Sequence, residues 1–259
     1  MIAKLQVLAE RLRASPIVRQ LATPRGLFVV FCLYYLIGTL GILARYEMNP
    51  SALVRFGHYY VEQNPERTPA GVIRFTGNEE FGGNGYDGQI FYYYGRTLFE
   101  SRVWPEGFSR AYRAPRAGYP VLVAPFTVFG DWGVVAGLYI VQLLCLLAAL
   151  FSVHALLPAD RKWAAIFCAL SPFAFMAYSL MVSDSIMIGL ACSGLFCLQR
   201  GSQGLSLHTN PDFRVAQTAA SRTLWLVAAW ACFSLSILAK ESALFLLFPL
   251  GLFALWRRS

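Results

Sequence analysis

Apolar runs of about 15 to 20 residues recur along this chain, and they limit its fold more than any other feature. A helix needs about 20 apolar residues to cross the roughly 30 Å of hydrocarbon in a bilayer. Hydrophobic residues make up 57% of the sequence and charged residues only 14%, a balance outside the usual range of soluble domains. The sequence therefore predicts an all-α, polytopic helical membrane protein with about six transmembrane helices, at residues 26–44, 133–157, 164–182, 184–198, 223–239 and 242–256.

Some of these runs are short or interrupted. The runs at 184–198, 223–239 and 242–256 cross a bilayer only if a residue or two extends them, or if the bilayer thins locally. A further apolar stretch, from Tyr119 to Phe129, contains two prolines. Because proline breaks the hydrogen bonding of a helix interior, we expect this stretch to re-enter the membrane or to lie at its interface.

The charge pattern predicts the orientation of the chain. Residues 1–25 form a basic, amphipathic segment, and basic residues near a span favour the cytoplasmic side. Counting spans from there predicts a cytoplasmic connector at 199–222 and a cytoplasmic C-terminus. The expected location is the plasma (inner) membrane, in contact with membrane lipids. Topology accounts for the net charge of +8, so no nucleic-acid partner is predicted.

A long loop at residues 45–117 separates the first two spans, and the predicted orientation places it outside. Within this long loop, an apolar and aromatic pattern predicts interfacial helices at 50–61 and from Asp87 onward, with tyrosines at headgroup level. Residues 62–88 are rich in turn-forming residues and are expected to be irregular. Asp87 is a candidate N-cap, which needs only an oxygen there. It is also a candidate general base or metal ligand beside a permissive glycine.

Three more polar groups fall on the predicted outer side: Ser183-Asp184-Ser185, Lys240-Glu241-Ser242 and the arginine-rich stretch 110–120. Ionisable groups are costly in a membrane domain and usually face a cavity or a partner. Taken singly, a Lys-Glu turn is also typical of a solvated connection, and arginines also bind anionic headgroups. Because these polar groups fall on the same side of the membrane, we predict an outward-facing polar cavity that the long loop covers.

Several kinds of site are absent from the sequence. It contains no nucleophile triad, P-loop, dinucleotide fingerprint or zinc spacing, and its cysteines fall in apolar runs typical of packing. No metal-binding residues are predicted and the cofactor stays unknown. One alternative is a divalent cation held by Glu79, Glu80 and Asp87.

Short scattered matches between residues 26 and 256 resemble the GT-C superfamily, the polytopic glycosyltransferases that use polyprenyl-phosphate sugars. The resemblance is greatest to bacterial relatives of its mannosyltransferase-like group. The matching residues are Tyr86-Asp87-Gly88-Gln89 with Tyr92, Tyr112-Arg113, Tyr119-Pro120, Ser171-Pro172 through Tyr178 with Asp184, and Ala239-Lys240-Glu241-Ser242.

The resemblance implies sugar transfer with inversion from a polyprenyl-phosphate-linked sugar to an acceptor on the outer face of the membrane. Asp87 would be the catalytic residue, taking the acceptor proton or helping to bind a metal. Arg113, Arg116 and Lys240 would stabilise the leaving phosphate. The other substrate-binding residues would be Tyr92, Tyr112, Asp184 and Glu241.

Members of the family commonly have seven or more spans, whereas about six are predicted here. A partner chain that supplies further C-terminal helices, a fragment and a reduced relative all fit that difference. The alternative functions are a non-catalytic membrane subunit and a lipid-linked-sugar carrier or flippase. A transporter would be expected to show internal repeats, and none is visible in the sequence.

Overall fold

The computed structural model describes residues 15–77, 85–101, 103–202, 219–245 and 247–248. The described part is mostly helical, with one two-stranded parallel sheet. In chain order its elements are α1 (Pro16–Leu21), α2 (Pro24–Leu43), α3 (Ser51–Val54), β1 (Phe56–Gly57), α4 (His58–Gln63), β2 (Arg74–Phe75), α5 (Asp87–Arg96), α6 (Arg110–Arg113), α7 (Gly118–Val123), α8 (Gly130–Leu156), α9 (Ala165–Ala169), α10 (Pro172–Ser179), α11 (Asp184–Ser202) and α12 (Ala219–Ala239). Tighter 3₁₀ turns cover Ala44–Tyr46, Pro65–Arg67, Ala124–Phe129 and Ala159–Ala164, and a π turn covers Thr97–Ser101.

Three helical stretches of the described chain are long and apolar enough to cross a membrane: Pro24–Tyr46, Gly118–Leu156 and Ala220–Ala239. They contain the predicted spans at 26–44 and 223–239 and nearly all of the one at 133–157. Many of their large apolar side chains are exposed, as lipid-facing residues are. These helices indicate a membrane-embedded protein.

The other predicted spans do not form comparable helices. Residues 164–182 are divided into α9 and α10, because Pro172 begins a new helix that the Ser171 hydroxyl caps. Residues 184–198 lie in α11, which is 19 residues long but has polar residues at both ends. Most of 242–256 lies outside the described residues. The structure therefore supports three spans, and the prediction of six is not confirmed.

Contacts along the long helices fix their relative directions. His154, near the end of α8, hydrogen-bonds to the Ala22 carbonyl just before α2, so these two helices are antiparallel. Gln142 of α8 contacts Ser185 near the start of α11, and both helices run the same way from there. The Ser236 hydroxyl of α12 donates to the Met187 carbonyl of α11, and α12 runs back. The ends of α2 and α12 and the starts of α8 and α11 therefore lie on one side.

The long loop folds on an aromatic core at that side. Phe56, Tyr92 and Tyr93 are fully buried and meet edge to face, and Tyr60 stacks on Phe108 with ring centroids 4.1 Å apart. Such pairs add about 0.5–1.5 kcal/mol each beyond their buried area. This core holds α5 in place on the membrane helices.

Two local predictions need correction. The helix predicted at 50–61 is two helices, α3 and α4, because Arg55 adopts a left-handed conformation with φ 56° and is followed by β1. The connector predicted at 199–222 is shorter, since its first four residues extend α11 and its last four begin α12. The stretch from Tyr119 to Phe129 is helical and leads into α8, with its prolines near the starts of α7 and of a 3₁₀ turn, and its re-entrant or interfacial location stays a prediction.

Other predictions lie outside the described residues. They concern most of the basic segment at 1–25, of which residues 15–25 are described, and the centre of the connector, residues 203–218. Within 62–88 the described chain is irregular apart from the end of α4, one 3₁₀ turn, β2 and the start of α5, while 78–84 fall outside the description.

Candidate functional site

Asp87 is the first residue of α5, and its role there differs from the predicted one. Tyr86 is the flanking residue with an extended backbone, and its side chain makes no capping hydrogen bond. The N-cap prediction is therefore wrong by one position. A carboxylate in the first turn of a helix is still favourable, because it faces the positive end of the helix dipole.

The Asp87 carboxylate forms an ion pair with Arg113 at the end of α6. Arg113 Nη1 donates to Asp87 Oδ1 at 2.8 Å, and both side chains are partly exposed. Among the residues that the structure describes, none donates a hydrogen bond to Asp87 Oδ2. This oxygen is consequently the one with room for a proton.

Arg116 forms a bidentate pair with Glu241, which lies in the turn after α12. Its Nε and Nη2 atoms donate to the two carboxylate oxygens at 3.0 and 2.6 Å. Arg116 Nη2 also donates to the Tyr112 hydroxyl at 3.1 Å, and the guanidinium carbon lies 4.4 Å from the centre of the Tyr112 ring. The hydrogen bond with Arg116 lowers the pKa of the Glu241 carboxyl, and the same bond raises the pKa of the guanidinium.

A third pair joins the start of α11 to the end of α12. Lys240 Nζ donates to both carboxylate oxygens of Asp184, at 2.6 and 2.7 Å. Ser183, which precedes Asp184, is buried. The pair therefore bridges α11 and α12 at the same end as the long loop.

Two glycines allow these elements to approach one another closely. A Cβ atom on Gly88 would lie 2.7 Å from the Met181 Cβ and 2.8 Å from the Val54 carbonyl oxygen. One on Gly118 would lie 2.5 Å from the Ala239 amide nitrogen. Larger side chains at these positions would push the long loop away from α11 and α12.

The three pairs form one connected set, here called the ion-pair cluster. Arg113 and Arg116 are one turn apart and are joined by a backbone hydrogen bond of 3.1 Å, while Lys240 and Glu241 are adjacent. The sequence predicted that groups from these distant segments meet, and the structure brings them together. The members of the ion-pair cluster are Asp87, Arg113, Arg116, Glu241, Lys240 and Asp184.

Tyr92, another predicted substrate-binding residue, is not brought to the ion-pair cluster. It is fully buried, and its hydroxyl donates to the Arg67 carbonyl at 3.0 Å. Arg96 Nη1 lies 3.4 Å from the same hydroxyl. Burial raises the pKa of Tyr92. The residue is part of the aromatic core of the long loop, whereas Tyr112 does lie at the ion-pair cluster.

A second ionic group, which we call the Arg96 anchor, was not predicted from the sequence. Arg96 Nη1 and Nη2 pair with Asp131 in the first turn of α8, at 2.6 Å, and with Glu100, at 2.7 Å. Burial opposes the charge on Arg96, but Tyr92, Glu100 and Asp131 outweigh it and raise the pKa of the guanidinium. The Arg-Glu spacing of four residues was the one available signal.

An apolar groove lies beside these groups on α8. It has a volume of about 480 Å³ and is lined by Pro50, Trp132, Val135, Ala136, Tyr139 and Ile140. The Tyr139 hydroxyl donates to the Pro50 carbonyl at its edge. The short helix α3 leads from this groove to Val54, which touches Gly88 beside Asp87.

The described part of the chain contains no group of three or more His, Cys, Asp or Glu side chains that could hold a metal ion. Glu79 and Glu80, which the metal alternative requires, lie outside the described residues. Comparisons with protein-family models, with curated proteins and with solved structures found no match to this chain.

Proposed function

We propose that this chain is a membrane glycosyltransferase, which moves a sugar from a polyprenyl-phosphate donor to an acceptor hydroxyl at the outer face of the plasma (inner) membrane. The observation that carries the proposal is the ion-pair cluster, where the long loop, the start of α11 and the end of α12 bring three carboxylates and three cations together. Both termini would lie in the cytoplasm, and a partner chain would supply any further helices.

Asp87 would act as the general base. Its Oδ2 atom takes the proton of the acceptor hydroxyl, while the acceptor oxygen attacks the anomeric carbon of the sugar. The bond from that carbon to the phosphate oxygen breaks, and its electron pair stays on the phosphate. Arg113 binds the other carboxylate oxygen and would fix the orientation of the Asp87 side chain.

The cations of the ion-pair cluster would stabilise the leaving phosphate. Arg113, Arg116 and Lys240 carry donors at the membrane surface, where charge develops on the phosphate during transfer. Arginine binds phosphate through a planar fork, which also orients it. Tyr112 and Asp184 would bind substrate indirectly by holding Arg116 and Lys240.

The apolar groove on α8 supports a lipid-linked donor. Its lining is almost wholly apolar, and it starts next to Asp131 in the first turn of a membrane-length helix. A hydrocarbon chain in this groove would enter from the membrane and place its phosphate near α3 and Gly88. Because lipid tails are as apolar as this lining, van der Waals packing in the groove, and not transfer out of water, would hold the chain there.

The replacement of Asp87 by asparagine tests the proposal. We expect Asp87→Asn to reduce sugar transfer about a hundredfold or more, because asparagine keeps the shape but takes no proton. The assay is release of labelled sugar from a polyprenyl-phosphate hexose in membranes that contain the chain. The matched control is Asp160→Asn, since Asp160 also pairs with an arginine but lies beyond the far end of α8.

A folded Asp87→Asn protein with unchanged transfer would remove the catalytic role. One observation favours the alternative of a non-catalytic subunit or lipid-linked-sugar carrier: each carboxylate of the ion-pair cluster is already paired with a cation. A carrier would retain donor binding in Asp87→Asn and transfer no sugar in either form.

A further inference from the structure

Glu241 holds Arg116 in the way that a phosphate group would. Two parallel hydrogen bonds, of 3.0 and 2.6 Å, join Nε and Nη2 of Arg116 to the two carboxylate oxygens. This is the fork geometry with which arginine binds carboxylates and phosphates alike. A phosphate that approaches Arg116 therefore meets a position that a carboxylate already fills.

The two partners differ sharply in exposure. The Arg116 side chain is only 14% exposed, whereas that of Glu241 is 61% exposed. Arg116 is also held by the Tyr112 ring and hydroxyl and by the backbone bond to Arg113. When the pair opens, the Glu241 side chain is therefore the one that can rotate toward the solvent, while the Arg116 guanidinium stays in place.

We propose that Glu241 is a resident anion at a phosphate-binding site on Arg116, and that the phosphate group of a prenyl phosphate displaces it. This inference rests on the proposed function and gives Glu241 a role opposite to that of a substrate ligand. The exchange keeps Arg116 paired in both states. It also weakens phosphate binding by the free energy of the Arg116–Glu241 pair, which favours release of the product.

The experiment measures binding of farnesyl monophosphate to the full chain in phosphatidylcholine nanodiscs. We expect Glu241→Gln to bind this ligand about twofold to fivefold more tightly than the unchanged chain, the range that a partly exposed ion pair allows. Glu100→Gln is the matched control, because it makes the same change in a carboxylate that pairs with Arg96. Its affinity is expected to stay unchanged.

A second pair of variants tests whether the effect acts through Arg116. In Arg116→Gln the ligand should bind more weakly, and adding Glu241→Gln should then bring no gain. Equal tightening by Glu100→Gln would show a general effect of charge and would overturn the exchange, as would no tightening by Glu241→Gln or Glu241→Ala. Glu241→Gln and Glu241→Ala are expected to fold, because the Glu241 side chain is exposed.

The source of the phosphate is distinguished in the same assay. Nanodiscs that contain phosphatidylglycerol show whether a lipid headgroup competes with farnesyl monophosphate at Arg116. Competition that Arg116→Gln abolishes would support the exchange and assign the headgroup as a second occupant. Tighter binding of farnesyl monophosphate by Glu241→Gln, with no sugar transfer by the chain, would support the exchange and reject the proposed function. Sugar transfer without tighter binding by Glu241→Gln would support the proposed function and reject the exchange.

Discussion

Two tyrosines of the long loop have different roles because their hydroxyl groups lie in different surroundings. Tyr92 is fully buried, and its hydroxyl binds the Arg67 carbonyl. Tyr112 is 57% exposed, and its hydroxyl accepts a hydrogen bond from Arg116. The first residue stabilises the loop, whereas the second orients a cation of the ion-pair cluster.

We predict that Tyr92→Phe lowers the free energy of unfolding by about 1 kcal/mol, because it removes a buried hydrogen bond while Arg96 still donates to the same carbonyl. Tyr112→Phe should change that free energy by less than about 0.5 kcal/mol, as is usual at exposed positions. Thermal unfolding of the two purified variants makes the comparison. Equal losses would contradict the assignment of Tyr92 to the core.

Residue identity and local pattern predicted the start of α5 to within one position, but not which side chains share a face. Tyr92 follows Asp87 by five residues, which places it about 140° around the helix. A short sequence match that contains both residues does not report that angle. The pairing of Asp87 with Arg113 also depends on the fold, because 26 residues separate them in the chain.

At the scale of elements, the Arg96 anchor joins the long loop to the membrane helices. Arg96 lies at the end of α5, and Asp131 lies in the first turn of α8. The arginine side chain is only 15% exposed, so its charge depends on these partners. The anchor therefore ties the end of α5 to the start of α8.

Replacement of Arg96 by methionine should loosen the long loop while the membrane helices stay folded. We predict a loss of about 2 kcal/mol, between the values for exposed and buried pairs, since Asp131 would keep a charge without its partner. Hydrogen exchange should rise in residues 45–117 and stay unchanged in α11. Adding Asp131→Leu should restore part of the protection, and its failure to do so would argue against an electrostatic anchor.

The elements that the sequence predicts well are those set by hydrophobicity alone, such as α2, α8 and α12. Predictions were less accurate where backbone geometry determines the ends of a helix. Arg55 in a left-handed conformation divides one predicted helix, and Ser171-Pro172 divides another. Neither break changes the apolar pattern, so hydropathy does not reveal it.

At the scale of the whole molecule, the alternating directions of the helices bring the ion-pair cluster together. The order of the apolar segments alone was enough to predict that the members of the ion-pair cluster lie at the same end of the long helices. It holds because α9 and α10 together return the chain to the side where α11 begins, although neither is long enough to span a membrane. The Arg96 anchor was missed because one of its partners comes from the long loop and the other from α8.

The predicted topology places the long loop outside the cell and the turn after α8 inside. We expect a membrane-impermeant maleimide to label Glu66→Cys in intact cells and Asp160→Cys only after the membrane is opened, because both positions are exposed and lie beyond opposite ends of the long helices. The unsubstituted chain controls for its native cysteines. Labelling in the reverse order would place Asp87 in the cytosol and rule out transfer at the outer face.

The ion-pair cluster holds three acidic and three basic side chains, so its formal charges cancel. A neutral group of this kind creates little electrostatic field beyond a few ångströms. The attraction of the ion-pair cluster for a distant charge is therefore weak, and ionic strength should change it little. The ion-pair cluster itself would therefore add little electrostatic attraction for a charged ligand in solution. For a prenyl phosphate, partitioning into the lipid would then be the main source of its local concentration at the ion-pair cluster.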